Sequence, residues 1–328
     1  MRKQIFIVMS LKCKICGNNE NNQVFEAKEM MLGIGQKFNY LECASCGCLQ
    51  LINVPTEMSR YYKENYYSIN GSISKISKIK AQIKNRATNI ALRSKIASNI
   101  LSRKLSFPNS VLVNLPKTTQ LQKSSKILEV GCGRGELLSW FQSLGFNNTL
   151  GLDPYSPCNK NSIKRESILE ISEEPFDLII FNHSFEHIEK QHETIKKVRQ
   201  LLSNKGTCLI RMPVKTEYIW NRYGVNWVQL DAPRHVFLHT LESFEILAQQ
   251  GNLAINNVIF DSDEFQFWGS EQYLKGILLR GENSYWVNPT KSIFKKSQIQ
   301  QFRTLAYELN KKKQGDQAQF YLTKTHDE

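Results

Sequence analysis

The sequence contains no run of about 18 consecutive apolar residues, the length a helix needs to cross a bilayer, which excludes a membrane-spanning helix. Met1-Arg2-Lys3-Gln4 and the apolar run Ile5 to Met9 are too short for a secretory signal, and no small-residue cleavage site precedes Cys13. A cytoplasmic protein is expected, with Met1 and Met9 both serviceable starts. Cysteine is sparse, eight in 328 residues, too few to staple such a chain with disulfides. Acidic residues are missing from Gly71 to Lys126, where twelve Lys or Arg stand, so the net charge of +13 is concentrated in one segment. With 41% hydrophobic and 22% charged residues, the chain is neither collagen-like nor a disordered tract. At about 150 residues per domain, the length suggests roughly two domains.

The few cysteines are unevenly placed: Cys13, Cys16, Cys43, Cys46 and Cys48 all fall in the first fifty residues. Cys13-x-x-Cys16 and Cys43-x-x-Cys46 can each chelate from a tight turn, and four thiolates complete the tetrahedral shell of a structural zinc ion. Cys48 is a poorer ligand at one-residue spacing from Cys46, and the competing reading is accidental cysteines. Cys132, Cys158 and Cys208 read as buried or incidental thiols.

The expected organisation is a zinc ribbon over 1–54, a tyrosine-rich and basic helical lid or linker over 55–118, an α/β domain over 119–270, and a C-terminal helical extension over 271–328. In the basic segment Ile73, Ile76, Ile79, Ile83, Ala87 and Ile90 recur at three- and four-residue steps, an amphipathic helix with a basic face. From Lys126 the pattern becomes strand, turn and helix in alternation. Strands are read at 126–130, 149–152, 176–181, 206–212, 253–260 and, weakly, 265–268. Helices are read at 136–144 and 192–202, and the tail after Gly281 as one helix with a frayed end. The fold class is therefore α/β, a doubly wound, mostly parallel Rossmann-like sheet whose ligand lies beyond the strand C-termini.

Gly131, Gly133 and Gly135 follow the first strand, with Glu129 before them and Asp153 closing the next strand. The dinucleotide fingerprint requires glycine at position 136, where a glutamate stands that would repel a pyrophosphate, and no Gly-Lys-Ser/Thr follows. A cationic ligand with a ribose and no phosphate remains, and S-adenosylmethionine is one. The glycines allow close backbone approach, Asp153 can accept both ribose hydroxyls, and Glu129 accepts a loop N–H or meets the ligand's ammonium through water. The competing reading is a tight turn without a ligand.

Ile-Leu-Glu-Val-Gly-Cys-Gly-Arg-Gly (127–135), Gly-Leu-Asp-Pro (151–154), Phe-Asp-Leu-Ile (176–179) and Glu-His-Ile (186–188) resemble the class I S-adenosylmethionine-dependent methyltransferases across about residues 120–265. The stretch 230–240, Leu-Asp-Ala-Pro-Arg-His-Val-Phe-Leu-His-Thr, resembles a subgroup associated with sugar and surface-polysaccharide biosynthesis. Several of its members begin with a cysteine-rich zinc module and a tyrosine-rich stretch. The resemblance implies cofactor contacts at Glu129, Gly131, Cys132, Gly133, Gly135, Asp153 and Asn182. The C-terminal domain of the subgroup's C-methyltransferases is missing here, so O- and C-methylation both stay open. Asn182-His183-Ser184-Phe185 stands where amino-methylating enzymes carry Asn-Pro-Pro-aromatic, which speaks against a nucleobase amine.

On the acceptor side, His183, Glu186, His187 and His235 are the candidates for removing a proton, histidine being the natural base near neutrality. The plainer alternative has Glu186 and His187 orienting their loop. Asp231, Arg234, His235 and His239 stand in a long insertion. There Arg234 offers a planar fork to a carboxylate or phosphate, or a salt bridge to Asp231. Tyr66 and Tyr67 are expected near substrate, with Tyr61 and Tyr62 as lid or hinge. Trp220, Tyr223, Trp227 and Phe237 read as packing that can also line a sugar site.

The leading expectation is a methyltransferase acting on a sugar, nucleotide sugar or related small metabolite. One alternative is an RNA methyltransferase whose zinc ribbon and basic segment hold phosphates. The other is a peripheral module on an anionic membrane near a lipid-linked glycan, contacting it through 71–105.

Overall fold

The computed structural model describes residues 4–6, 11–62, 114, 115, 119, 121–157 and 162–325. Tyr66, Tyr67, Cys158 and the basic helical segment over 71–105 lie outside the described residues.

Strands β1 (Gln4–Phe6), β2 (Gln23–Lys28), β3 (Lys37–Glu42) and β4 (Leu49–Leu51) form an antiparallel sheet around the cysteine turns. A fifth strand in that sheet, β10 (Phe237–Leu238), comes from the insertion far along the chain and pairs with β4, Phe237 opposite Gln50. The amino-terminal module is thereby stitched to the second sheet's domain.

The second sheet has the order β11 (Leu253–Phe260), β12 (Gln317–Lys324), β9 (Leu202–Pro213), β8 (Phe176–Asn182), β5 (Ile127–Val130), β6 (Thr149–Leu152) and β7 (Ile163–Lys164). Its parallel part comprises β5, β6, β7, β8 and β9. Leu178, Ile179, Ile180 and Phe181 are all buried, as a central parallel strand covered on both faces requires. Helix α1 (Glu136–Ser143) packs Leu137 and Phe141 against Ile127, Leu178 and Ile180 on one face. On the other, α2 (Gln191–Leu201) sets Ile195, Val198 and Leu201 into the cluster holding Ile179 and Phe181. After β9 come α3 (Glu217–Tyr223), α4 (Leu241–Gln250), β11 (Leu253–Phe260), α5 (Phe265–Leu274), α6 (Lys296–Lys311) and β12 (Gln317–Lys324).

Two expectations are corrected here. Residues 265–268 begin helix α5: the Asp263 side chain accepts the Phe265 N–H at 2.8 Å, and Ser270 Oγ donates to the Gln266 carbonyl one turn back. The aromatic spacing that looked like strand alternation instead places Phe267 and Trp268 on a buried helix. The tail is no mere helical extension, because after α6 it returns as β12, antiparallel between β9 and β11. The interior Gln317 and Gln319 made this strand look like a polar tail, but both donate to Asp261, at 2.9 Å each.

Candidate active site

The chain bends sharply after β5. Gly131, Gly133 and Gly135 have φ of +74°, +52° and +74°, a region side chains rarely enter. A Cβ on Gly131 would lie 2.3 Å from Ser184 Cβ, so the loop and the end of β8 meet only because that position is bare. β6 delivers Asp153 beside this loop, where Gly133 N–H donates to Oδ2 and Tyr155 N–H to Oδ1, each at 2.8 Å. Each carboxylate oxygen retains acceptor capacity for a hydroxyl.

Glu129, on β5, is buried and lines the same cavity. Burial pushes its carboxyl up to about 8 against the opposing hydrogen bond from the Leu138 backbone, and the Asp153 charge adds to the rise. Leu138 lies in the first turn of α1, so Glu129 accepts from the helix start rather than from the glycine loop. Its Oε2 has no hydrogen-bond partner among the described residues. A buried acceptor without a donor, next to a backbone bend that excludes Cβ and a carboxylate held for hydroxyls, fits a ligand carrying an ammonium and a ribose. Asn182 and Cys132 also line this wall.

Next to the glycine loop, β8 ends at Asn182, and His183 takes φ of +53°. Its Nε2 lies 2.6 Å from Arg211 Nη1. Guanidinium only donates, so Nε2 accepts and the proton sits on Nδ1, which lies 3.4 Å from Glu186 Oε1. Arg211 is itself anchored to Asp261 at 2.6 Å. Glu186 is fully buried, and His235 Nε2 stands 3.8 Å from Oε1. Burial raises the Glu186 carboxyl, but His183, His187 and His235 around it outweigh this and hold it at about 2. His187 is lowered by burial, against the raising influence of Glu186. Its Nδ1 lies 2.8 Å from the Arg234 carbonyl and 3.2 Å from Tyr62 Oη. The two imidazoles, of His187 and His235, lie edge to face with centroids 4.8 Å apart.

The structure brings together Asp153, Glu129, Asn182, His183, Glu186, His187 and His235, but not Arg234. That side chain is fully buried outside the cavity lining, with Asp231 bidentate at 2.8 and 2.5 Å and Glu29 at 3.2 Å. It ties the insertion to the amino-terminal module, and its donors face protein. His239 is likewise structural, buried between Gln191 and Ser243, and burial lowers it to about 3. Trp220 and Trp227 pack in the core away from the cavity. Aromatic walls come instead from Phe265, Trp268, Tyr285 and Trp286, with Arg280 over the Trp286 ring at 5.3 Å. These residues, with Asp263 and Asp316, went unread because they follow the last motif. The only sequence trace of them is the aromatic density at 265–268 and 285–286. Together these walls enclose a cavity of about 850 Å³.

In the amino-terminal module one sulfur from each of Cys13, Cys16, Cys43 and Cys46 lies within 4.8 Å of the others. The Cys13–Cys46 and Cys16–Cys43 separations are 3.8 and 3.5 Å. A tetrahedron of ~2.3 Å metal–sulfur bonds has edges of about 3.8 Å. Ile15 N–H and Cys46 N–H point at Cys13 and Cys43 Sγ, the backbone support expected of a metal knuckle. Cys48 is buried and points at the Leu49 carbonyl instead.

Residues 102–258 match the methyltransferase-domain family. The protein is an S-adenosylmethionine-dependent methyltransferase with the class I α/β fold. No curated protein matches the sequence. Among solved structures, it is similar to the cyclopropane synthase MmaA2 from Mycobacterium tuberculosis, with 15% identity, a TM-score of 0.42, and coverage of 66% of this chain and 83% of that one. It is also similar to an S-adenosylmethionine-dependent methyltransferase from Mesorhizobium loti, with 17% identity, a TM-score of 0.39, and coverage of 62% and 93%. A third is the geranyl diphosphate C-methyltransferase of Streptomyces coelicolor, with 10% identity, a TM-score of 0.41, and coverage of 63% and 74%.

Proposed function

We propose that the enzyme methylates an oxygen or carbon of a sugar, nucleotide sugar or related sugar-linked small metabolite. One observation carries this reading: the cofactor cradle and the histidine–carboxylate wall face one cavity, which aromatic rings and arginines close on a third side. Aromatic faces suit the C–H face of a sugar ring, and Arg280 suits a phosphate or carboxylate.

S-adenosylmethionine supplies an electrophilic methyl group. Asp153 would hold its ribose, the bend at Gly131 to Gly135 would lie along its methionyl and ribose portions, and Glu129 Oε2 would receive its ammonium. Asn182, at the end of β8, borders the same space. The protein's other task is to orient the acceptor and take its proton. His187 and His235 are the groups placed for this, with Glu186 to stabilise an imidazolium. His183 acts as a positioning residue, since Arg211 occupies its Nε2. Cys13, Cys16, Cys43 and Cys46 hold a structural zinc ion with no coordination position left for chemistry. Through β4, β10 and the Glu29–Arg234 pair, that module fixes the loop bearing His235.

Incubation with methyl-labelled cofactor and a panel of nucleotide sugars and free sugars tests the assignment. Label transfer to at least one of them, lost in Asp153→Ala, is expected. Transfer only to RNA or to lipid would overturn it.

A further inference from the structure

We infer that Glu186, His187 and His235 form a binding site for one divalent transition-metal ion on the acceptor wall of the cavity, distinct from the four-cysteine site. Three observations lead there.

The first is an unsatisfied carboxylate. Glu186 is 0% exposed, and neither of its oxygens has a hydrogen-bond partner among the described residues. Its nearest neighbours are nitrogens at 3.4 Å (His183) and 3.8 Å (His235), too long or ill-aligned to satisfy it. A buried charge left this way is costly, and coordination is a common remedy.

The second is the set of tautomers. His187 Nδ1 lies 2.8 Å from the Arg234 carbonyl, and His235 Nδ1 lies 2.6 Å from the Gln229 carbonyl. A carbonyl only accepts, so in both imidazoles Nδ1 is the donor, and Nε2 is the nitrogen that would face an ion. Metal-ligating histidines are oriented by such a bond from the far ring nitrogen. One ligand atom from each of the three residues lies within 4.8 Å of the others. Bonds of about 2.1 Å place tetrahedral ligand atoms about 3.4 Å apart, so these three must draw together by up to ~1.4 Å to close on an ion.

The third is charge. Glu29 and Asp231, both buried, share the buried Arg234 guanidinium, and a third buried carboxylate, Glu186, has no hydrogen-bond partner among the described residues. Asp231 Oδ2 stands 3.9 Å from His235 Nε2. Arg211, also buried, is paired with Asp261. The buried Glu186 carboxylate is the charge a bound cation would neutralise.

Two imidazoles and one carboxylate suit manganese, iron, cobalt or zinc better than magnesium or calcium, and leave positions open for water or ligand oxygen. An ion here would hold an acceptor oxygen in the cavity and favour loss of its proton, replacing the proton-acceptor role given above to His187 and His235, which would become its ligands. That use rests on the acceptor reading above, whereas the presence of the ion does not.

Manganese is the discriminating probe, because its preference for oxygen and nitrogen keeps it off the cysteines. The full-length protein with its zinc retained is titrated with Mn²⁺, and free ion is followed by electron paramagnetic resonance without cofactor or acceptor. One equivalent bound, weakened at least tenfold in Glu186→Gln and in His235→Gln but unchanged in Asp153→Ala, is the expected result. Either cluster variant suffices if the other fails to fold, as judged by circular dichroism. No bound manganese in wild type, or equal binding in the folded cluster variants, would overturn the inference. Calorimetry with S-adenosylhomocysteine on the same samples reports separately on the cofactor cradle.

Discussion

Arg234 and Glu29, 205 positions apart in the chain, meet as an ion pair of 3.2 Å with neither side chain exposed. Glu29 also accepts the N–H groups of Met31, Leu32 and Ile34, and Arg234 adds Asp231 and the Tyr61 carbonyl. The contact joins the amino-terminal module to the insertion next to His235. Removing one member of a buried pair strands the other, at a cost of about 3–5 kcal/mol. Glu29→Gln should therefore lower unfolding stability in urea by at least ~2 kcal/mol. A loss below ~1 kcal/mol would show that the pair does not bind the two parts together.

Metal removal should act at a distance. Tyr40 Oη donates to the His235 carbonyl at 2.9 Å, Leu51 N–H donates to the Val236 carbonyl, and Thr240 Oγ1 donates to the Cys46 carbonyl. Stripping the zinc proposed for the four cysteines with a chelator, or Cys43→Ser, should raise hydrogen exchange across 231–240 and cut turnover at least tenfold, while S-adenosylhomocysteine affinity changes less than threefold. Unchanged exchange in that loop would separate the cysteine module from the acceptor wall.

Cofactor affinity should depend on pH through Glu129. In the ligand-free protein its carboxyl is pushed up to about 8, so it is largely protonated at neutrality. An ammonium at Oε2 favours the carboxylate, so binding expels a proton and affinity rises from pH 6 to about 8, then levels. Ligand-free stability runs the other way. A carboxyl raised in the fold contributes stability that is present below its unfolded value near 4.5 and is lost as pH rises through about 8. Asp316, pushed up to about 7 by burial, adds to that loss in an overlapping window. Calorimetry across pH 6–9 should show a slope for wild type and none for Glu129→Gln, and equal slopes would exclude the Glu129 contact.

The bend itself is testable without ligand. Gly131→Ala places a methyl group where φ is +74° and Ser184 Cβ is 2.3 Å away. The strain in such a site is of order 1–3 kcal/mol, and displacement of Ser184 adds to it. Thermal unfolding should fall by several degrees, with cofactor affinity lost in parallel. An Ala variant of wild-type stability would mean that the bend relaxes freely.

The central strands, α1, α2 and the cofactor loop were legible because their chemistry is local: apolar runs mark strands, bare glycines mark the bend, and Asp153 closes its own strand. What escaped depends on distant partners. β12 was hidden because Gln317 and Gln319 are interior residues whose amides serve Asp261, more than fifty positions away. The salt bridge of Arg234 to Asp231, three positions away, was legible as the alternative to a ligand-binding fork, but nothing local announces Glu29. His183, Glu186, His187 and His235 were read together from the sequence, and the structure sets them side by side. Their division of labour came only with Arg211 on His183 Nε2 and the carbonyls on His187 and His235 Nδ1.

The most direct test is calorimetric titration of S-adenosylhomocysteine into wild type and Asp153→Ala. Asp153 receives Gly133 N–H and Tyr155 N–H, so circular dichroism and thermal unfolding must first show the variant folded. One binding event in wild type, weakened at least a hundredfold in the folded variant, is the predicted result. Equal affinities, or no binding to wild type, would contradict the account.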